Sequence, residues 1–165
     1  FVTGKFENER AKDIVSNISD LLDSARNADL PVIFVTDSHP QGDHEFSIWG
    51  EHAKAGSEGS EPVPELEPLE DEPHLDKTKY SAFYDTKLAD LLEDLGVDEV
   101  VLTGVLTHIC VQHTAADAFF RGYDVTVPKG CVEDLSDEEN ERALDFMKEN
   151  YGAKIVDYEK LVEEL

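Results

Sequence analysis

Apolar residues follow two alternating patterns along the chain, one typical of helices and one typical of buried strands. Apolar side chains at positions 11, 14, 15, 18, 21, 22 and 25 share one face of a helix. Further helical patterns occur late in 80–96, at 108–121, from 136 to about 150 and at 158–165. Short runs rich in β-branched residues occupy 31–37, 98–104, 123–128 and 153–157. This alternation predicts an α/β fold, in which a doubly wound, Rossmann-like parallel sheet carries helices on both faces.

Glycines and capping residues predict where several of these helices begin and end. Gly96, Gly122 and Gly152 each follow a helical pattern, as expected of residues that close a helix. Ser136 and Glu139 have the spacing of a capping box, which predicts the beginning of the helix that runs to about residue 150.

Residues 53–74 interrupt the alternation. This segment carries four of the seven prolines and seven acidic residues, so it cannot hold a regular element for long. An irregular stretch of this length inside a compact domain is either disordered or a functional loop. Histidine, aspartate and lysine residues flank the segment, which favours a loop packed over a site.

The composition limits the classes of partner. A chain of 165 residues with 40% apolar content suits one compact domain, residues 1–165. Its 38 acidic residues against 14 Lys and Arg give a formal charge of −24, which repels nucleic-acid phosphates and anionic lipid. Neither nucleic acid nor a membrane surface is therefore expected as a partner. An acidic shell of this kind suits a high-salt cytoplasm and predicts a halophilic source.

The sequence also predicts a compartment. No apolar segment has the length or the flanks of a signal peptide or of a membrane span. Two cysteines do not make a disulfide framework. These features predict a reduced, cytoplasmic protein. The chain begins at Phe1 rather than at Met, which suggests that it begins part-way into the natural protein.

The stretch GVLTHIC, residues 104–110, places Cys110 where a strand pattern ends and a helical pattern begins. The first turn of a helix has unpaired N–H groups and the positive end of the helix dipole, and both favour a reactive thiolate. Burial as a small apolar residue is the alternative. Lys77, in DKTKYSAF, could hold a thiolate if the fold brings it close, although most lysines are solvated. Cys131, in a loop, is expected to be structural.

A group of Asp and His residues precedes the irregular segment. Asp37 and His39 lie two positions apart, so in an extended stretch both side chains point to one side. His52 could join them, with His44 as a further candidate. Carboxylate and imidazole together suit a borderline divalent ion such as Zn²⁺, Mn²⁺ or Fe²⁺. A cluster of surface histidines without a metal is the alternative.

The chain resembles the isochorismatase-like cysteine hydrolases, and among them the nicotinamidase-type members, in five stretches that cover essentially its whole length: FVTGKF, TDSHP, IWGEHAKAGSEGSE, DKTKYSAFYDTKL and GVLTHICVQHTAADAFFRGYDVTV. The resemblance implies a six-stranded parallel sheet and a Cys–Lys–Asp triad, with Cys110 as nucleophile and Lys77 as the lysine. It also implies a thioester on Cys110 and an oxyanion held by the N–H groups of Leu106 and Cys110. A cis peptide is implied between Val105 and Leu106.

The same resemblance implies a substrate, a cofactor and an assembly. Nicotinamidase-type members bind a divalent metal through a pattern that Asp37, His39 and His52 match. The metal would bind the pyridine nitrogen of nicotinamide, and Phe1 and Trp49 would line the ring. The implied reaction converts nicotinamide to nicotinate and ammonia, and the implied assembly is a homo-oligomer.

Three features depart from the family pattern. The triad Asp belongs to the end of the first strand, so this strand and the general base are expected ahead of Phe1. His108 stands where relatives commonly carry Asp or Asn, and Leu106 stands where Ala is common. A bulkier Leu106 beside the oxyanion hole leaves other substrates open: another small amide, a carbamoyl compound or a vinyl ether. A non-catalytic scaffold member of the family is a further alternative.

Overall fold

The computed structural model describes residues 1–165 as an α/β fold of seven helices and seven strands. The helices are α1 (Glu9–Asp13), α2 (Val15–Asn27), α3 (Phe46–Trp49), α4 (Leu88–Leu95), α5 (Gln112–Phe120), α6 (Asp137–Tyr151) and α7 (Tyr158–Glu164). The strands are β1 (Phe34–Asp37), β2 (His74–Lys77), β3 (Glu99–Val101), β4 (Gly104–Val105), β5 (Asp124–Lys129), β6 (Val132–Glu133) and β7 (Lys154–Asp157). No helix combines the length and the apolar character needed to cross a membrane.

All the strand pairs are parallel, and β5 holds the centre of the largest sheet. β5 lies between β3 and β7, whereas β1 pairs with β2 and β4 pairs with β6. The parallel strands and their connecting helices confirm the predicted fold class. They form three sheets rather than one, because β1 bonds only to β2 and β3 bonds only to β5. The further strand expected ahead of Phe1 stays a prediction.

Two apolar clusters form the core and divide the helices into two groups. The larger cluster joins α4, α5 and α6 to β5, and Val127 and Met147 have no exposed surface there. The smaller cluster joins α2 to Cys131, and α7 packs against it. Cys131 is fully buried, which is the environment expected of a structural cysteine.

The helix predicted over 11–25 is divided at Ile14. Asn8 begins α1 by accepting a hydrogen bond from the Ala11 N–H at 2.8 Å. Ile14 keeps right-handed backbone angles (φ −85°, ψ −11°), and its carbonyl accepts a bond from the Ile18 N–H at 3.0 Å. Because the apolar face continues across the break, the sequence pattern predicted one helix where the backbone forms two.

Residues 53–74, predicted to pack over a site, contact α2 in the second half of the segment. The segment contains two short 3₁₀ turns, and the second of them joins the α2 cluster. Arg26 of α2 donates to both carboxylate oxygens of Glu72 at 2.8 Å. Only the beginning of the segment bonds to a predicted site residue, where the His39 N–H donates to the Ala53 carbonyl at 2.8 Å. The segment runs into β2, a strand that the sequence pattern did not predict.

The predicted capping box begins α6. The Ser136 hydroxyl oxygen accepts a bond from the Glu139 N–H at 3.2 Å, and the hydroxyl donates to the Glu139 carboxylate at 3.0 Å. We expect Ser136→Ala to lower the free energy of unfolding by about 1 kcal/mol, because an N–H of the first turn loses its partner. Urea denaturation at high salt measures this change. Ser16→Ala, at an exposed position inside α2, is the control, and an equal loss in both variants would contradict the capping role.

Candidate active site

Cys110 lies in a turn that joins β4 to α5. This turn, Thr107–Val111, has π-helical hydrogen bonding, and the Val111 N–H donates to the Leu106 carbonyl at 3.3 Å. The peptide bond between Val105 and Leu106, at the beginning of the turn, is cis. No hydrogen bond within the protein has the Leu106 N–H as its donor. The turn therefore places a thiol a few residues after a backbone donor that has no partner.

Lys77 meets Cys110 at the carboxyl ends of two paired strands. The register of β1 and β2 places Asp37 opposite Lys77, and the Lys77 Nζ contacts the Asp37 carboxylate. The same Nζ donates to Cys110 Sγ at 3.5 Å and to the Lys79 carbonyl at 3.1 Å. Lys77 is only 6% exposed, so it is not one of the solvated lysines that the sequence left as an alternative. The fold thus places the Cys110 thiol, the Lys77 ammonium and the Asp37 carboxylate in one row.

Desolvation decides the protonation of Cys110. Surrounding protein atoms raise the pKa of the thiol to about 11, although Lys77 lowers this pKa and Asp37 raises it. For Lys77, burial lowers the pKa, but the Cys110 and Asp37 charges outweigh burial and raise the pKa overall. The resting pair at neutral pH is a thiol beside an ammonium. Loss of water thus raises the pKa of this thiol, which is opposite to the lowering expected from the first turn of a helix.

Three possible metal ligands converge near this row: His39, Glu45 and His52. Their ligand atoms lie within 4.8 Å of one another. Glu45 Oε1 is 4.0 Å from His39 Nε2 and 3.9 Å from His52 Nε2. Two imidazoles and one carboxylate suit Zn²⁺ and related divalent ions.

The Nδ1 atoms of His39 and His52 have hydrogen-bond partners, which leaves the Nε2 atom of each ring free to bind a metal. His52 Nδ1 donates to the Gly50 carbonyl at 2.8 Å, and His39 Nδ1 lies 3.3 Å from an Asp43 carboxylate oxygen. A carbonyl or carboxylate can only accept, so each ring keeps a lone pair on Nε2. His39 Nε2 is buried and has no hydrogen-bond partner. A buried polar atom of this kind requires a partner, and the three residues fit a divalent ion.

Two of the predicted metal ligands, Asp37 and His44, lie outside this group. The Asp37 carboxylate contacts Lys77, and His44 is exposed. Glu45 rather than the adjacent, exposed His44 joins His39 and His52, because adjacent residues of the turn before α3 point in different directions. The only signal for Glu45 in the sequence is its place beside a candidate histidine, and that signal does not decide which of the two side chains faces inward.

Aromatic rings surround the histidines. Phe6 stacks on Phe1 with 5.6 Å between ring centroids, and it meets the edge of Trp49 at 6.0 Å. Phe6 also lies 5.1 Å from the His52 ring. Trp49 Nε1 donates to the Tyr80 hydroxyl at 3.0 Å. The two rings predicted to line a substrate, Phe1 and Trp49, are thus joined by Phe6, which sequence reasoning missed because an isolated aromatic residue has no periodic pattern.

A buried carboxylate braces the turn that carries Cys110. Asp134 is 1% exposed, and one of its oxygens accepts bonds from the His108 N–H at 2.7 Å and from His108 Nδ1 at 2.6 Å. The Leu135 N–H donates to the other oxygen at 2.8 Å. His108, which departs from the family pattern, therefore supplies two of the donors that a buried carboxylate needs.

Known proteins are similar in sequence to this chain along most of its length. Residues 1–160 match the family described as Isochorismatase domain. The chain is 34% identical over 169 residues to the uncharacterized isochorismatase family protein YaaI of Bacillus subtilis, covering 99% of this chain and 90% of that protein. It is 33% identical over 158 residues to Nicotinamidase 3 of Arabidopsis thaliana, covering 92% of this chain and 79% of that protein.

Solved structures share the fold. N-carbamoylsarcosine amidase from Thermoplasma acidophilum has a TM-score of 0.91 and 36% identity, over 96% of this chain and 90% of that chain. Pyrazinamidase of Pyrococcus horikoshii in complex with zinc has a TM-score of 0.83 and 29% identity, over 90% of this chain and 87% of that chain.

Proposed function

Because this chain belongs to the isochorismatase family of hydrolases, we propose that it is a cysteine-dependent amidohydrolase that converts nicotinamide to nicotinate and ammonia. The observation that carries the proposal is the 3.5 Å contact between Lys77 Nζ and Cys110 Sγ, beside the convergent side chains of His39, Glu45 and His52. A thiol held against a buried ammonium suits covalent catalysis at a carbonyl. Nicotinamide offers a carboxamide to the thiol and a pyridine nitrogen to the histidine group.

The first chemical step forms a bond between Cys110 Sγ and the carboxamide carbon while the thiol proton passes to a carboxylate. The family resemblance implies an Asp ahead of Phe1 as this base, and this remains a proposal; within residues 1–165, the carboxylate in contact with Lys77 is that of Asp37. The Lys77 ammonium stabilises the thiolate as it forms, because it lowers the pKa of the thiol. The oxygen of the former carbonyl gains negative charge, which the N–H groups of Leu106 and Cys110 stabilise.

Two further bond changes complete the reaction. The carbon–nitrogen bond breaks, the base returns its proton to the nitrogen, and ammonia leaves a thioester on Cys110. Water then adds to the thioester, the carbon–sulfur bond breaks, and nicotinate and the free thiol are released. The proton taken from the thiol thus leaves in ammonia, one proton of water returns to the thiol, and the other is released when nicotinic acid ionises to nicotinate.

We propose that a divalent ion, Zn²⁺, Mn²⁺ or Fe²⁺, is the cofactor and that His39, Glu45 and His52 bind it. When bound, such an ion supplies an electrophile for the pyridine nitrogen and so orients the carboxamide toward Cys110. The buried Nε2 of His39, which has no partner in the protein, supports this assignment. The zinc complex named for the pyrazinamidase of Pyrococcus horikoshii also supports it.

A second candidate substrate is a carbamoyl compound. N-carbamoylsarcosine amidase is more similar in sequence to this chain, at 36% identity, than the pyrazinamidase solved with zinc, at 29%. The family resemblance implies Ala where this chain has Leu106, and a larger side chain beside the proposed oxyanion hole would leave less space for a ring. Another small amide or a vinyl ether stays an alternative for the same reason, and a non-catalytic scaffold is the alternative from another class.

The remaining sequence-based expectations stay proposals. We infer one hydrolase domain over 1–165, a homo-oligomer, and work in a high-salt cytoplasm without nucleic-acid or membrane partners. The formal charge of −24 supports the salt requirement, because counter-ions must screen the repulsion among acidic side chains. Size-exclusion chromatography with light scattering, run from low to high salt, tests the assembly and the salt requirement together.

Steady-state release of ammonia at high salt tests the substrate. We expect turnover of nicotinamide in the presence of Zn²⁺ or Mn²⁺, with a larger kcat/KM than for N-carbamoylsarcosine, because the pyridine nitrogen suits a borderline ion and the flat ring suits the aromatic residues around the histidines. A metal chelator should remove this preference. Cleavage of the carbamoyl compound without cleavage of nicotinamide would contradict the substrate assignment while keeping the amidohydrolase. No turnover of amide, carbamoyl or vinyl ether substrates would favour the scaffold.

A further inference from the structure

We propose that Asp43 is the positioning residue of the metal centre: it sets the ring tautomer of His39, holds the backbone of Glu45 and joins both to the strand end that carries Lys77. The inference rests on the proposed metal site. It extends that site to a side chain that contacts neither the substrate nor, in its proposed role, the metal.

The first contact of Asp43 fixes His39. The Asp43 side chain is 5% exposed, and its Oδ2 lies 3.3 Å from His39 Nδ1. The same carboxylate accepts a hydrogen bond from the Glu45 N–H and contacts the Lys79 ammonium, so all its partners are donors and it acts as an acceptor. His39 Nδ1 must then be the donor, and Nε2 carries the lone pair. Without Asp43, the ring could place its proton on Nε2, where it would face Glu45 and oppose metal binding.

The second contact orients Glu45. The Glu45 N–H donates to Asp43 Oδ1 at 2.9 Å, which closes a short side-chain turn. This bond fixes the backbone of Glu45 and thereby the direction of its carboxylate, which lies near both histidine Nε2 atoms. The two oxygens of one carboxylate therefore position two of the three proposed ligands, an imidazole and a carboxylate.

The third contact links the metal centre to the catalytic row. Lys79 Nζ lies 3.1 and 3.2 Å from the two oxygens of Asp43. The Lys79 carbonyl accepts a bond from Lys77 Nζ at 3.1 Å, and Lys77 contacts Cys110. Hydrogen bonds, together with the covalent structure of Lys79 between its side-chain nitrogen and its carbonyl, thus connect His39 and Asp43 to Lys77 and the thiol. Because the Lys79 side chain is 40% exposed, its ion pair contributes less than the buried bonds of Asp43.

Asp43→Asn tests this role with little change in side-chain size. The amide can still accept from the Glu45 N–H, but an NH₂ group that faces His39 Nδ1 would favour the wrong tautomer. We expect the affinity for Zn²⁺, measured by competition with a chromophoric chelator, to fall about 10- to 100-fold. Glu51→Gln is the matched control, because it removes a 66%-exposed carboxylate next to His52 that pairs only with Lys54. Far-UV circular dichroism and the unfolding midpoint establish that each variant is folded.

A second readout needs no metal. Long-range ¹H–¹⁵N spectra of the metal-free protein report the tautomer of each histidine, and we expect Nδ1–H for His39 in wild type and Nε2–H in Asp43→Asn. Wild type that binds neither Zn²⁺, Mn²⁺ nor Fe²⁺ would overturn the proposed metal centre and, with it, this inference. Wild type that binds Zn²⁺ while Asp43→Asn binds it equally well, with an unchanged His39 tautomer, would overturn the role of Asp43 alone.

Discussion

Cys110→Ala is expected to reduce amide hydrolysis by about 10⁴-fold or more, because the row that begins at Asp37 and Lys77 then ends without a nucleophile. The loss should appear in kcat, since the thiol forms a covalent bond to the substrate and does not merely bind it. We expect the variant to fold, because the Val111 N–H bond to the Leu106 carbonyl that shapes the turn does not involve the thiol. Ammonia release at saturating substrate measures the loss.

Cys131→Ala is the matched control for this experiment. Cys131 is fully buried in the α2 cluster, and burial raises the pKa of its thiol to about 12, so it is neither accessible nor ionised. We expect this variant to keep its kcat and to lose only stability. Cys110→Ala that keeps a substantial part of the wild-type rate would exclude Cys110 as the nucleophile.

The fold class could be predicted because most elements carry their own local pattern. The β-branched run at 98–104 contains β3, the run at 123–128 covers all but the last residue of β5, and the capping box at Ser136 begins α6. β2 could not be predicted in this way. It has four residues, follows an acidic and proline-rich segment, and exists because it pairs with β1, a contact between distant parts of the chain. Local propensity contains no information about such a partner.

The same difference between local patterns and long-range contacts decides which residues of the candidate site could be predicted. Cys110, Lys77, His39 and His52 could be predicted because a resemblance gives residue types at known spacings. The inward position of Glu45 could not, because it depends on a turn held by long-range and local hydrogen bonds. The raised pKa of the Cys110 thiol also could not be predicted. A helix end can be recognised in a sequence, whereas the desolvation that raises this pKa is a property of the packed site.

Lys77→Met is expected to reduce hydrolysis by about 10²- to 10³-fold, because it removes the charge that stabilises the forming thiolate. Met preserves most of the buried volume at a position that is 6% exposed, but the Asp37 carboxylate loses its partner. Some loss of stability is therefore expected, and activity alone would not separate a chemical role from a folding defect. The rate at which iodoacetamide alkylates Cys110, followed by mass spectrometry across pH, provides the second measurement.

The sign of the alkylation effect distinguishes the two roles of Lys77. The Lys77 charge lowers the pKa of the Cys110 thiol, so its removal raises that pKa further above the value of about 11. Below the pKa, the thiolate fraction falls tenfold for each unit by which the pKa rises, so folded Lys77→Met should react more slowly than wild type at pH 9. Partial unfolding would instead expose Cys110 and speed the reaction. Lys160→Met, at a 72%-exposed position on α7, should change neither rate. Equal alkylation of Cys110 in wild type and in folded Lys77→Met would show that the lysine does not stabilise the thiolate.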